Sequence, residues 1–183
     1  QAKGIHYSPT DLLGGDADRA APFVGGSFAT VYLAPHNYHR IHAPVSGRLN
    51  EMHHLPGRLF SVNLLTARTV PGLFTRNERI ANIFDTPNGK VAVVMVAAMG
   101  VGHMETAWHG AVEPTGGKKV TSWYYPRSGA EQINLQAGDE LGRFNLGSTV
   151  VMLFEKSLRW NPQLVQGAAV QMGSKLADLT TDL

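Results

Sequence analysis

Glycine and proline interrupt this chain every few residues, and that punctuation limits how long any regular element can run. Twenty Gly and ten Pro are spread through 183 residues. Proline removes a backbone donor and glycine costs backbone entropy, so both work against long helices. Between them lie brief apolar stretches, the pattern of a mostly β domain with many turns and one or two short helices. Strands are expected at residues 27–33, 47–53, 80–85, 91–99, 104–108, 120–125, 141–145, 149–155 and 168–172. The stretch 91–99 is almost entirely apolar, so it should be buried on both faces and anchor the core. Apolar residues in 59–74 do not alternate cleanly; this segment is expected to hold one short helix, ended by Pro71 and Gly72. No repeat or shift in composition marks a boundary. The expectation is a single domain over residues 1–183, with a loose tail after about Leu176.

Composition removes several function classes. There is no Cys, which excludes disulfides, thiolate metal sites and cysteine nucleophiles. Only 16% of residues are charged with a net charge of +2, and Lys and Arg are scattered, so a nucleic-acid partner is not expected. The longest apolar run, 91–101, is about half of the roughly 20 residues a membrane-spanning helix needs. Residues 1–7 lack the pattern of a signal peptide, and no lipidation signal is visible.

Two constellations can carry chemistry. The first is Pro35-His36-Asn37-Tyr38-His39-Arg40-Ile41-His42-Ala43-Pro44, three histidines spaced by three between two prolines. On a helix this spacing would share a face and suit a metal. The prolines leave hardly two turns, however, and no carboxylate stands near to orient an imidazole, so no metal is assigned. The second is Leu146-Gly147-Ser148-Thr149, directly before the apolar run 150–154. Gly-Ser before a strand is usually a turn. Yet Gly147 lacks a Cβ and permits close approach of a nucleophile, so the Ser148 hydroxyl has a route to its own preceding carbonyl. That attack would turn the amide into an ester; β-elimination and hydrolysis would then leave a pyruvoyl group at position 148 and release ammonia. A pyruvoyl carbonyl is an electron sink for decarboxylating an amine-bearing substrate, and histidines suit the proton transfers involved.

These residues also carry a resemblance. Tyr32-Leu33-Ala34-Pro35 through Ala43-Pro44, then Pro56-Gly57-Arg58-Leu59-Phe60-Ser61-Val62-Asn63, Asn77-Glu78-Arg79 and Phe144-Asn145-Leu146-Gly147-Ser148-Thr149 are similar, in order and spacing, to bacterial phosphatidylserine decarboxylases of the membrane-associated type. The resemblance covers residues 1 to about 155. It implies self-cleavage between Gly147 and Ser148, giving a β chain 1–147 and an α chain 148–183 that begins with a covalent pyruvoyl cofactor derived from Ser148. It further implies that His42 assists self-cleavage as base, that His39 lies near the substrate for decarboxylation and reprotonation, and that Ser61 contacts the substrate. His36 matches no functional position of the family and is read as exposed. The implied reaction converts phosphatidylserine to phosphatidylethanolamine in a homodimer, peripherally at the cytoplasmic side of the cell membrane. The family's self-cleaving triad also uses an aspartate from an upstream Ala-Asp-Gly-like element. None of Asp11, Asp16 and Asp18 sits in such a motif, and the role is given to none of them. The expectation is that either this chain is part of a longer proenzyme, whose upstream segment holds this aspartate and the family's membrane-attaching helices, or its self-cleavage is impaired.

Blander readings stand beside these. Glu78 and Arg79 are read as a structural pair. Leu73 and Phe74 suit either an apolar lip for acyl chains or ordinary core packing. His53, His54, His103 and His109 are read as structural, and Trp108, Trp123 and Trp160 as packing residues. The expected fold is a mostly β, barrel-sandwich-like domain. The alternative function is a non-enzymatic carrier or binding module, because Ala43-Pro44-Val45-Ser46-Gly47-Arg48-Leu49 also looks like the opening turn of sandwiched carrier barrels. Its only candidate lysines are Lys118 and Lys119 after Gly116-Gly117, and they lack the flanking residues of such sites.

Overall fold

A computed structural model of the chain describes residues 7–62, 66, 69–100, 103–112 and 119–179. Its centre is β5 (Gly89–Val96), whose residues from Val91 onward are all buried. Each fully buried Val contributes on the order of 1.5–3 kcal/mol, so this strand is a main source of stability. It lies between β4 (Arg79–Thr86) and β11 (Thr149–Phe154), both antiparallel to it. The large sheet runs β1 (Ser27–Tyr32), β11, β5, β4, β3 (Gly47–Leu55) and β8 (Thr121–Tyr124), and the short β9 (Asn134–Leu135) also pairs with β3.

Paired residues share a face, so the register sorts the side chains. One face carries Met52, Phe84 and Met95, and it packs on a second sheet of order β2 (Arg40–His42), β10 (Glu140–Phe144), β6 (Met104–Thr106) and β7 (Gly110–Val112). Phe84 meets Trp108 edge to face at 6.1 Å, and Met95 lies over Gly142, where an added Cβ would stand 2.3 Å from the Glu105 carbonyl oxygen. The opposite face is covered by short helices: α1 (Pro9–Leu12), α2 (Ala17–Ala20) with a 3-10 turn at Ala21–Phe23, and α3 (Leu73–Arg76). Ser8 caps α1 ahead of Pro9, and Asp16 caps α2. The fold is mostly β, as expected. It forms two facing sheets with open edges among the described residues, without a closed barrel.

Arg79 ties the helices to the sheet. Its side chain is buried and donates to the Leu12, Asp11, Thr75 and Asn77 carbonyls at 2.7, 2.8, 2.8 and 3.0 Å, which satisfies the orphaned C-terminal carbonyls of α1 and α3. Burial pulls its pKa down to about 10, so it remains charged at neutral pH. Glu78 faces His54 instead, at 2.9 Å. Both residues of the Glu78-Arg79 pair therefore have structural partners, each different from the other.

Several expectations change. Residues 168–172 contain no strand: turns at Gly167 and Gly173 bracket them. The tail is instead ordered by β12 (Leu158–Trp160) pairing with β13 (Ala177–Leu179), so the chain is not loose after Leu176, though 180–183 lie outside the described residues. More short helices form than the one or two expected, because each is too short to show a helical period and depends on a cap. Of the helix expected in 59–74, Thr66 and Thr69 are helical, while 63–65 and 67–68, including Asn63, lie outside the described residues. Gly72, at φ 64°, starts α3 instead of only ending a helix. Leu73 and Phe74 are fully buried, so they are core residues and not an exposed lip.

His53 is fully buried and spans from β3 to the edge strand: one ring nitrogen meets Ser122 Oγ at 2.8 Å and the other Glu51 Oε2 at 2.9 Å. The hydrogen bond from His53 holds the Glu51 carboxyl below its usual range. A depressed carboxyl pKa gives stability that is present above the ordinary carboxylate range and lost as pH falls through the lowered value. Glu51→Gln should lower stability by about 1 kcal/mol at neutral pH and flatten its acid dependence, read from Trp123 fluorescence on β8 during pH titration. An unchanged acid transition would show that Glu51 does not hold this edge.

Candidate functional site

Ser148 directly precedes β11, the strand beside edge strand β1 of the large sheet, and is 0% exposed. Its backbone carbonyl accepts from Leu33 N at 2.7 Å, and its hydroxyl donates to the Val96 carbonyl at the end of β5. The next residue, Thr149, is also fully buried, and its hydroxyl has no hydrogen-bond partner. A conventional hydrolase serine must meet solvent-borne substrate. Ser148, fully buried with its hydroxyl on the Val96 carbonyl, does not meet solvent in this arrangement.

Gly147 is the reason the chain can pass here. A Cβ at this position would lie 2.4 Å from the Leu33 carbonyl oxygen, 2.8 Å from the Ala34 carbonyl carbon and 2.9 Å from Pro35 N. The opposing segment is a tight turn in which Asn37 N donates to Ala34 O at 2.8 Å and Asn37 Oδ1 accepts from Ala34 N at 2.7 Å. His39 closes this turn: its Nε2 donates to the Pro35 carbonyl at 3.0 Å, leaving a buried Nδ1 without a partner. Gly147, the Pro35 turn and the His39 ring thus form a contiguous stack.

His42 is placed differently. Its Nδ1 lies 2.7 Å from the Gly138 carbonyl and so carries the proton; Nε2 then accepts from the Tyr38 hydroxyl at 2.8 Å. Both nitrogens are engaged, and neither imidazole is hydrogen-bonded to Ser148. His36 is exposed. The three histidines do not converge, and among the described residues no group of three His, Cys, Asp or Glu side chains is placed to hold a metal ion. Ser61 is half-buried and accepts at its carbonyl from Thr66 Oγ1. It follows Phe60, whose backbone is held by Asn77, which also bonds Ala97 beside Val96.

The fold therefore brings Gly147, Ser148, His39 and the Phe60–Ser61 segment to one end of the large sheet. Tyr38 and Asn77 are not expected as site residues from the sequence, although both lie within its motifs. A tyrosine four residues before a histidine, and an asparagine before a charged pair, have no chemical signature until their partners are known. Of the carrier-module candidates, Gly116, Gly117 and Lys118 lie outside the described residues, and Lys119 is exposed.

The close packing at Gly147 can be tested without assuming any chemistry. Gly147→Ala should displace the Leu33–Pro35 backbone, since the clash is with main chain and cannot be relieved by a rotamer change. The expected cost is about 1–3 kcal/mol in denaturant unfolding. An alanine variant as stable as the parent would mean that this contact is looser than described.

Comparison with known proteins gives the family. The phosphatidylserine decarboxylase family model matches residues 1–178. A protein of Polaromonas naphthalenivorans (strain CJ2) is 54% identical over 183 residues, covering 100% of this chain and 63% of its own length. One of Shewanella amazonensis is 60% identical over 156 residues, covering 85% and 54%, and one of Bordetella pertussis is 55% identical over 178 residues, covering 97% and 60%. All three are named phosphatidylserine decarboxylase proenzyme. The chain spans less than two thirds of the length of each of these relatives. With a match that runs nearly end to end, this chain belongs to the phosphatidylserine decarboxylase family.

Proposed function

We propose that this chain carries the self-processing and decarboxylating centre of a proenzyme that converts phosphatidylserine to phosphatidylethanolamine. The observation that carries the proposal is the fully buried Ser148 directly after a glycine packed against opposing main chain. In the first step the Ser148 hydroxyl leaves the Val96 carbonyl and attacks the Gly147 carbonyl carbon, while a base takes its proton. The peptide nitrogen becomes an amine as the acyl group moves to oxygen. Loss of the α-proton expels the Gly147 carboxylate, and hydrolysis of the resulting dehydroalanine releases ammonia. Cleavage also frees Leu146–Gly147 to withdraw, opening position 148 to substrate.

The residues fit a pyruvoyl group: the Thr149 hydroxyl and His39 Nδ1 are buried and unpartnered close to the cleavage junction. Such a group supplies a carbonyl that captures the substrate amine and accepts the electrons released as carbon dioxide leaves. His39, with Nε2–H committed to Pro35, offers Nδ1 for proton transfer to the product. His42 serves the cleavage step once Tyr38 releases Nε2, the only nitrogen of that ring able to accept. Ser61 contacts the polar headgroup.

A lipid substrate is supported by the side chains around this end of the sheet. Tyr38, Leu59, Met99 and Leu146 are all exposed, each within three residues of Ser148, His39, Ser61 or Val96, and the exposed Tyr32 pairs in register with Thr149. Among the described residues no helix is long and apolar enough to cross a membrane. The proposed location is peripheral, at the cytoplasmic side of the cell membrane, with the enzyme as a homodimer.

The test is an intact-mass spectrum of the full-length natural protein and its variants under denaturing conditions. Wild type should give two fragments meeting at Gly147 and position 148, the smaller with a ketone in place of its amino terminus, and Ser148→Ala a single mass. His42→Ala should remain uncleaved, and His39→Ala should cleave but lose turnover. A single intact mass from wild type would reject the decarboxylase reading in favour of a binding module. Cleavage in His42→Ala but not in His39→Ala would transfer the base role to the imidazole with the free nitrogen.

A further inference from the structure

Asn77 is 0% exposed, and its carboxamide is spent entirely on backbone. Oδ1 accepts from Phe60 N at 3.1 Å, and Nδ2 donates to the Phe60 carbonyl at 2.7 Å and to the Ala97 carbonyl at 2.9 Å. The surrounding main chain reinforces the grip. Arg58 N donates to Arg76 O at 2.8 Å, Glu78 N to Arg58 O at 2.9 Å, and Ala97 N to Glu78 O at 2.8 Å. Gly57 lets this segment approach, because a Cβ there would stand 2.4 Å from the Asn77 carbonyl carbon.

The two ends of this clamp adjoin the two halves of the site. Phe60 is followed by Ser61. Ala97 follows Val96, whose carbonyl accepts the Ser148 hydroxyl. We propose that Asn77 is a positioning residue, fixing the Phe60–Ser61 backbone against the strand end that holds position 148. This rests on the roles proposed above for Ser148 and Ser61. Only a planar group with one acceptor and two donors meets the requirement: aspartate lacks the donors, and leucine of similar shape lacks everything, leaving the half-buried Phe60 amide and carbonyl and the buried Ala97 carbonyl without this partner. Arg76, with its guanidinium 4.9 Å over the Phe60 ring, steadies the same segment from outside.

The experiment uses the full-length enzyme with Asn77→Leu and Asn77→Asp. Ketone content is titrated with a hydrazine reagent, and kcat and KM are measured on phosphatidylserine in mixed micelles and expressed per ketone, so that lost folding or cleavage does not count as lost positioning. The Leu variant should show KM raised about tenfold or more, the equivalent of one buried hydrogen bond. The Asp variant should be rescued in part at low pH, where its neutral acid regains one donor. Its KM should climb as the carboxyl ionises against the Phe60 and Ala97 carbonyls. Wild-type kcat and KM per ketone in either variant, whatever its melting temperature, would overturn the proposal. A second measurement needs no variant: in wild type the Phe60 amide should exchange as slowly as the amides of β5, and fast exchange would also overturn it. A wild-type protein without any ketone would instead remove the role given to Ser148, while the exchange result would still judge the clamp.

Discussion

A strand that is apolar along nearly its whole length has to be covered on both faces, and in this protein that strand is Gly89–Val96. Neighbours on either side satisfy its backbone, but its side chains require two separate layers. One is the small sheet reached through Met95, Met52 and Phe84; the other is the set of short helices fastened by Arg79. Covering a buried strand thus dictates a sandwich on one side and helices on the other. It also makes the end of that strand a place where segments from distant parts of the chain must meet.

The candidate site occupies that end. Val96 receives the Ser148 hydroxyl, Ala97 receives Asn77, and the turn at Ala34–Asn37 presses on Gly147. Ser148 is fully buried at that end, with its hydroxyl on the Val96 carbonyl. For the self-cleavage proposed above, burial that would disable an ordinary serine nucleophile suits one whose target is covalently attached.

The histidines show how chemistry and scaffold divide a single short motif. His39 and His42 are three residues apart, yet one folds back on the turn at Pro35 while the other enters a strand and bonds across to Gly138. Their spacing suggested a shared face only if the segment were helical. The prolines correctly argued against that, but the bond from His42 to Gly138, which with Tyr38 engages both of its nitrogens, depends on the strand pairing between β2 and β10. His53 and His54 were legible as structural from their place in a strand, whereas their partners Ser122 and Glu78 were not.

By itself the sequence determined the mostly β character, because Gly and Pro cap the length of every element, and the central role of 91–96, because no exposed strand is so apolar; the strand expected to reach 99 ends at Val96, and Met99 is exposed. It also determined the order of the motifs from Pro35 to Thr149, which identified the family, and the chemistry open to a Gly-Ser junction. It did not determine the short capped helices, the strand at Ala177–Leu179 or the absence of one at 168–172, since elements of three or four residues carry no readable period. Only the tertiary structure decided that Ser148 is dry, that His39 keeps a free nitrogen while His42 does not, and that Asn77 joins Phe60 to Ala97. For Ser148, for the His42–Gly138 bond and for Asn77 the reason is the same: hydrogen bonds between residues far apart in the chain follow from sheet register and packing, which no local pattern encodes.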